Sequence, residues 1–289
     1  MTTPVWLITG ASNGLGLALC HRALKANHRV IGAMRDPARA REAAESITNA
    51  GGKVVQLDMN DSQTTIWEKL RAAEAIYGRV DILVNNAAYS VLGPVSEFSD
   101  REATAQFQTN FFGALYATQA VLPGMRARAT GTIVNVSSMA GQDGMVGCGL
   151  YAASKFALEG LSESLAREVA VFGIGVLIVE PGAFRTNFLA AFHPNDRGVP
   201  RDDADTPAAA ALRHFRGQDG RQRGDPQKAV DRIFEVVAGE GPAGHLRGKI
   251  LRLPLGPDSL DRIGAKIERL KSDIDAAREV AASTDLDGQ

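Results

Sequence analysis

Cysteine is nearly missing from this chain of 289 residues: only Cys20 and Cys148 occur, far apart and outside any CxxC pair. That argues against a disulfide-stapled scaffold and against a zinc site, and it suits a reducing compartment, the cytoplasm. Histidine is sparse too, and His21, His28, His193, His214 and His245 show no metal-ligand spacing; all five are expected on the surface or in loops. Charge of one sign is not in excess: 32 basic and 33 acidic side chains leave a formal net charge of −1. Nothing in that balance calls for nucleic acid or an anionic membrane as a partner. Long hydrophobic runs are also missing. No apolar stretch approaches the roughly 20 residues that span a bilayer. The run Val5-Trp6-Leu7-Ile8 is too short, and too poor in basic flanks, for a secretion signal.

What the chain does have is 45% hydrophobic residues, enough for a substantial core. Short apolar runs at 5–9, 29–34, 54–57, 81–85, 131–137, 175–180 and 249–253 alternate with longer helix-patterned stretches. Most of the runs are continuously apolar, as strands buried on both faces must be. Asp36-Pro37 and Asp225-Pro226 read as N-cap and first helical residue, and Gly51-Gly52 reads as a helix stop. Repeated strand–helix–strand units predict an α/β fold: one Rossmann-like, doubly wound parallel sheet of about seven strands with helices on both faces. With no repeat and no linker in view, residues 1–289 are expected to form a single domain.

Two segments break the rhythm. Residues 187–224 form a long polar insertion containing Asp202, Asp203 and several arginines, with a short helix expected after Thr206-Pro207; a stretch this long suggests a substrate lid. Residues 257–283 predict a charged helix. Its apolar stripe of Leu260, Ile263, Ile267, Leu270 and Ile274 is expected to pack on the body or on a neighbouring subunit.

The first strand runs into Thr9-Gly10-Ala11-Ser12-Asn13-Gly14-Leu15-Gly16 and then a helix. Glycine permits the sharp turn, lets the backbone approach a pyrophosphate, and allows close helix–sheet packing. The helix N-terminus adds free N–H groups and a favourable dipole for an anion. A glycine-rich turn alone is weak evidence; between a strand and a helix it points to dinucleotide binding. Tyr151 and Lys155, four residues apart, share one face of a helix. A nearby ammonium is expected to lower a tyrosine pKa from its ordinary value of about 10.

The segment TGASNGLG resembles the TGxxxGxG cofactor motif of the short-chain dehydrogenase/reductase family. Asn85-Asn86-Ala87-Ala88 resembles its NNAG, with alanine at the last position. Thr109-Asn110-Phe111 resembles its helix asparagine, and Val136-Ser137-Ser138 its serine motif. Tyr151-Ala152-Ala153-Ser154-Lys155 resembles its YxxxK, and Pro181-Gly182 with Thr186 its PGxxxT. The motifs occur in family order over roughly residues 5 to 190.

The resemblance implies an NADP-dependent carbonyl or hydroxysteroid-type reductase with a catalytic set of Asn110, Ser138, Tyr151 and Lys155. Tyr151 would exchange the proton, and Lys155 would tune it and bind the ribose. Ser138 would hydrogen-bond the alkoxide, and Asn110 would interrupt its helix and hold a relay water. Cofactor contacts would come from Gly10, Ser12, Asn13, Gly14, Leu15, Gly16, Asp58, Asn85, Ala87, Tyr151, Lys155, Pro181, Gly182 and Thr186. Asp58 would face the adenine; its bland alternative is a strand-end turn.

For the cofactor's 2′ position, Met34 stands where NAD-binding relatives carry aspartate, and Arg35 stands where a 2′-phosphate would be met. Asp36 reads better as a helix cap. NADP(H) is therefore expected ahead of NAD(H). Residues placed around the nicotinamide by resemblance are mostly apolar: Tyr89, Val91, Leu92, Met139, Met145, Val146, Phe184, Phe188 and Phe192. They suit a bulky apolar ketone or aldehyde better than a sugar, although several could simply pack a lid. Relatives also pair the helices near 98–127 and 151–172 across a two-fold axis, so a homodimer or homotetramer is expected. The competing reading is a repurposed fold that binds NADP(H) as a sensor or shapes a substrate without redox chemistry.

Overall fold

The computed structural model describes residues 3–189, 192–198 and 205–286. In chain order its elements are β1 (Val5–Thr9), α1 (Gly14–Lys25), β2 (Arg29–Met34), α2 (Arg41–Asn49), β3 (Lys53–Gln56), α3 (Gln63–Ala75), β4 (Ile82–Asn85) and β5 (Val91–Leu92). There follow α4 (Asp100–Phe107), α5 (Gly113–Arg128), β6 (Gly131–Val136), α6 (Gly149–Val169), β7 (Ile174–Pro181) and β8 (His193–Pro194). The last four are α7 (Pro207–Gln218), α8 (Pro226–Ala238), β9 (Arg252–Leu255) and α9 (Pro257–Ala282).

Seven strands form one parallel sheet in the order β3-β2-β1-β4-β6-β7-β9. This is the doubly wound α/β fold that the sequence predicts. Side-chain alternation along each strand divides the core in two. Trp6, Ile8, Val134 and Leu177 face one layer, packed with Leu19 of α1 and Phe234 of α8. Val5, Leu7, Leu83 and Ile133 face the other, with Leu70, Val121 and Leu165 from α3, α5 and α6. Trp6 stacks on Phe234 with ring centroids 5.5 Å apart, and its indole N–H donates to His28 Nδ1 at 2.8 Å. His28 lies in the loop between α1 and β2, as expected, and packs its ring against this layer.

Several boundaries differ from the sequence reading. Asp36 does accept a bond, from the Arg39 amide at 3.0 Å, but it caps a separate turn; α2 begins only at Arg41. The last sheet strand covers Arg252–Leu255 rather than 249–253. The run before it is a turn, closed by the Lys249 amide on the Leu246 carbonyl at 3.0 Å. Pro254 is tolerated because β9 is an edge strand, where one face of the ladder needs no N–H. The two-residue strands β5 and β8, which pair with each other, carry no readable period.

Of the 187–224 stretch, Asp202 and Asp203 lie outside the described residues. Its helix α7 is capped by Thr206, whose hydroxyl accepts from the Ala209 amide. Most of the stripe on α9 does not pack on the body: Leu260, Ile267, Leu270 and Ile274 are exposed, Ile263 is half-buried, and Ser259 is the buried residue of that helix. The reason is direction. α9 touches β9 and the turn after β6 near its start, then runs clear of the sheet. Among the described residues no helix is long and apolar enough to cross a membrane.

Candidate active site

The strand order reverses between β1 and β4, so the loops at their carboxyl ends diverge and leave a crevice. A cavity of about 1340 Å³ opens there. That exceeds the roughly 300–1,000 Å³ of a single small-molecule pocket and leaves room for a cofactor with a substrate beside it.

The cradle at one end is the turn after β1. Gly10 and Gly14 take φ values of +66° and +53°, a region that favours glycine. A Cβ on Gly10 would lie 2.8 Å from the Ala87 Cα, and one on Gly16 would overlap the Gly10 carbonyl oxygen and the Asn86 amide. Asn13, the N-cap of α1, makes no capping hydrogen bond, so the first-turn N–H groups stay available beside the cavity. The residues present therefore fit a dinucleotide pyrophosphate.

Gly10, Ser12, Asn13, Gly14 and Leu15 line the cavity, as do Arg35, Asp58 and Ala87, and Pro181, Gly182 and Thr186 across from them. Gly16 does not line it, because it lies behind the turn as the close-packing glycine. Asn85 does not line it either. It is buried, and its amide donates to Thr118 Oγ1 at 3.0 Å and Asn135 Oδ1 at 2.8 Å, while Asn135 donates to Ser162 Oγ at 2.7 Å. This chain of amides ties β4 and β6 to α5 and α6. The next residue, Asn86, points the other way. Its side chain donates to the Thr9 carbonyl at 2.9 Å and holds the glycine turn on β4. Sequence reasoning missed Asn86, although the strand alternation that turns Asn85 inward was available to find it.

At the other end of the cradle, β6 ends at Val136, and Ser138 and α6 carry the side chains expected to be catalytic. Ser138, Tyr151 and Lys155 all line the cavity and are nearly buried. Ser138 Oγ accepts from the Ala140 amide at 3.1 Å, which fixes its position. Ser137 also lines the cavity, with its hydroxyl acting on Glu159. Lys155 Nζ donates to the Val136 carbonyl at 2.7 Å and sits 5.8 Å from the Tyr151 ring centroid.

Asn110 lies behind the cavity, in a π-helical turn at Gln108–Phe112 between α4 and α5. Its amide donates to the Tyr89 carbonyl at 3.0 Å and Ser154 Oγ at 3.1 Å, and its oxygen accepts from the Tyr89 amide at 3.1 Å.

The electrostatics correct one expectation. Burial pushes the Tyr151 phenol up, opposite to the lowering foreseen from Lys155, and hydrogen bonding to Ser138 draws it part of the way back. Burial instead brings the lysine down to about 8, against the pull of the Glu159 charge, which raises it. The cause is geometric. The ammonium is directed at a main-chain carbonyl, and both side chains are nearly buried.

The outer wall is aromatic. Phe188 packs on Tyr151 at 5.6 Å between centroids, Phe192 on Phe188 at 5.2 Å, and Phe215 of α7 on Phe192 at 5.9 Å. Tyr89, Met139, Met145, Val146 and Phe184 also line the cavity. Val91 and Leu92 do not. They are buried in β5, pairing with β8, and Leu92 packs against Cys148 and Leu212. His193 and His214 are exposed, as expected of surface residues, and both also line the cavity. They reach it through β8 and α7, which no local signal in the sequence connects to Tyr151. The start of α9 contributes Asp258, Asp261, Arg262 and Arg269, with Arg262 and Arg269 both paired to Asp143.

Comparison with known proteins places this geometry in context. The family profile described as short chain dehydrogenase matches residues 4–197. "Oxidoreductase claN" of Passalora fulva is 46% identical over 187 residues, 64% of this chain and 84% of the relative. "Retinol dehydrogenase 8" of Homo sapiens is 39% identical over 253 residues, 82% of this chain and 78% of the relative. The crystal structure of a short-chain dehydrogenase from Streptomyces avermitilis superposes with a TM-score of 0.84 at 36% identity, covering 99% of this chain and all of that one. Two structures that share the fold at 22% and 24% identity were solved with NAD (Burkholderia phymatum, TM-score 0.79, 94% and 95% of the two chains) and with NADP (a metagenomic source, TM-score 0.67, 87% and 96%).

Proposed function

The chain belongs to the short-chain dehydrogenase family of oxidoreductases, and from that premise we propose that it transfers a hydride between NADP(H) and a carbonyl/alcohol pair, reducing a bulky apolar ketone or aldehyde. The observation that carries this reading is the convergence of Ser138, Tyr151 and Lys155 where the glycine cradle meets the aromatic wall. A bound nicotinamide would supply the hydride to the carbonyl carbon. Ser138 donates a hydrogen bond to the carbonyl oxygen as it gains charge, and Tyr151 gives that oxygen its proton. A phenol whose pKa is raised by burial keeps its proton through the working range, which suits the acid role in reduction. The Lys155 cation then stabilises the tyrosinate and meets the ribose hydroxyls. Asn110 holds the Tyr89 main chain and α6 in place. Its π-turn frees main-chain carbonyls from regular helix bonding, where the relay water would be held.

For the cofactor, Arg35 is exposed at the cavity rim, while Asp36 is engaged with Arg39 in its own turn, with a charged contact of 3.4 Å. That leaves a guanidinium and no competing carboxylate for a 2′-phosphate, in favour of NADP(H). Asp58 accepts from the Asn60 amide at 2.9 Å and presents its strand-end turn to the adenine end.

We take residues 1–289 as one catalytic domain with 187–224 as its lid. Leu189, Phe192, His193, His214, Phe215 and Gln218 from that stretch all line the cavity, which supports this. The cytoplasm is the proposed setting, because Cys20 and Cys148 are both free, buried thiols whose pKa burial pushes up to about 12.

We further propose a homodimer or homotetramer. Ala114, Ala117 and Ala152 are buried within the chain, but Phe112 and Phe156 are exposed beside α5 and on α6, and α9 exposes most of its apolar stripe. A particle above 30.7 kDa by light scattering at micromolar concentration is expected; a monomer alone would contradict it. For the cofactor, Arg35→Ala should weaken NADPH on the order of tenfold or more in calorimetric titration, with NADH little changed. Wild-type protein binding NADH as tightly as NADPH would reverse the assignment.

For the chemistry, Tyr151→Phe should lower turnover by a factor on the order of 10² to 10⁴ with cofactor affinity nearly constant. Lys155→Ala should lower both. A sensor would show no turnover in the wild type with any carbonyl, and Tyr151→Phe near wild-type turnover would remove the tyrosine from the mechanism.

A further inference from the structure

Behind Lys155, away from the cavity, lies a group of charges that the chemistry above does not use. Glu159 follows Lys155 by one helical turn on α6, and Glu180 comes from the end of β7. Their side chains are 5% and 1% exposed. The Gln142 amide donates to Glu159 Oε2 and to Glu180 Oε1, both at 3.1 Å. Arg252 Nε of β9 reaches the same two oxygens at 3.1 and 3.3 Å. The other side of that guanidinium is taken by Glu163. The Ser137 hydroxyl also faces Glu159. Asp143, on the same loop as Gln142, is occupied by Arg262 and Arg269 of α9.

Two buried carboxyl groups held by the same two nitrogens cannot both carry full charge cheaply, and one guanidinium faces three carboxylates. The two carboxyls are coupled through these shared contacts, and Arg252 favours the charged form of both. Burial and the Glu159 charge bring Glu180 up to about 7. Burial raises the Glu159 carboxyl as well, but the Ser137 hydroxyl and Arg252 favour its charged form, one turn from a lysine that burial is driving toward neutrality.

We propose that Glu159 is a positioning residue that keeps Lys155 protonated, with Glu180, Gln142 and Arg252 holding its carboxylate in place. Lys155 must be a cation to stabilise a tyrosinate, so Glu159 sets the alkaline edge of activity without touching substrate or cofactor. The groups that act on Lys155 are Tyr151 and Glu159 on its own helix and the Val136 carbonyl at the end of the strand beside it. Of these, Glu159 is the carboxylate that opposes its loss of charge. The sign follows. Removing the anion lets the lysine lose its proton at lower pH, so the alkaline limb of turnover moves down.

This inference rests on the Tyr151/Lys155 reading, so its test needs a readout independent of turnover. Protein carrying ¹³C-lysine, free of cofactor, would be titrated by NMR, the Lys155 signal being identified by its loss in Lys155→Arg. Glu159→Gln should lower the Lys155 midpoint by about one pH unit or more. Glu180→Gln should move it less than half as far, although both variants disturb the same Gln142 and Arg252 contacts. Glu159→Asp should restore most of the shift.

The pH profile of turnover should move with the NMR midpoint. An unmoved midpoint in Glu159→Gln, or a downward shift of about one pH unit or more in Glu180→Gln, would overturn the proposal; the second result can be read even if Glu159→Gln fails to fold. A midpoint that moves while Tyr151→Phe keeps its turnover would leave the coupling standing and remove the catalytic reading instead.

Discussion

The site depends on one contact, the Lys155 ammonium donating to the Val136 carbonyl. It joins α6 to the end of β6, where the sheet stops and the cavity begins. A buried ammonium is costly unless it is hydrogen-bonded and faces compensating charge. The carbonyl supplies the bond, and Glu159, one turn further along the helix, supplies the charge. With α6 held in this way, Tyr151 is fixed over Ser138, and the reacting end of the cavity takes its shape. The central sheet contributes through register. β6 lies between β4 and β7, so its carboxyl end opens beside the Asn86 anchor on one side and the Pro181-Gly182 segment on the other.

The sheet was legible in the sequence because parallel strands covered on both faces must be continuously apolar, and β1, β2 and β4 are buried throughout or nearly so. The glycine turn was legible for a steric reason: Gly10 and Gly14 take positive φ and Gly16 has no room for a side chain. Other parts were hidden because they depend on contacts distant in sequence. β5 and β8 are two residues long and exist only as a pair. Pro254 reads as a strand breaker until the strand is known to lie at the sheet edge. His193 and His214 read as surface residues, and only β8 and α7, folding back over Tyr151, bring them to the cavity as well.

The electrostatics were the least legible part. The Tyr151–Lys155 spacing predicts a cation lowering a phenol pKa, but spacing carries no information about burial. In the folded chain both groups are withdrawn from water, and burial moves each toward its neutral form. In the proposed reduction the tyrosine would therefore begin as an acid holding its proton, and the cation would matter most after that proton has left. Asn85 gives the same lesson in packing. The motif places it at the cofactor, whereas its amide is committed to Thr118 and Asn135 and joins strands to helices.

The most direct test of hydride transfer follows the hydride itself. NADPH deuterated at C4 of the nicotinamide would be incubated with the protein and a panel of bulky aryl and alicyclic ketones, and the alcohols examined by mass spectrometry and NMR. The account predicts deuterium on the carbinol carbon of at least one product, from one face of the nicotinamide only, with none entering that position from deuterated water. Saturable NADPH binding with no labelled alcohol from any carbonyl would contradict it.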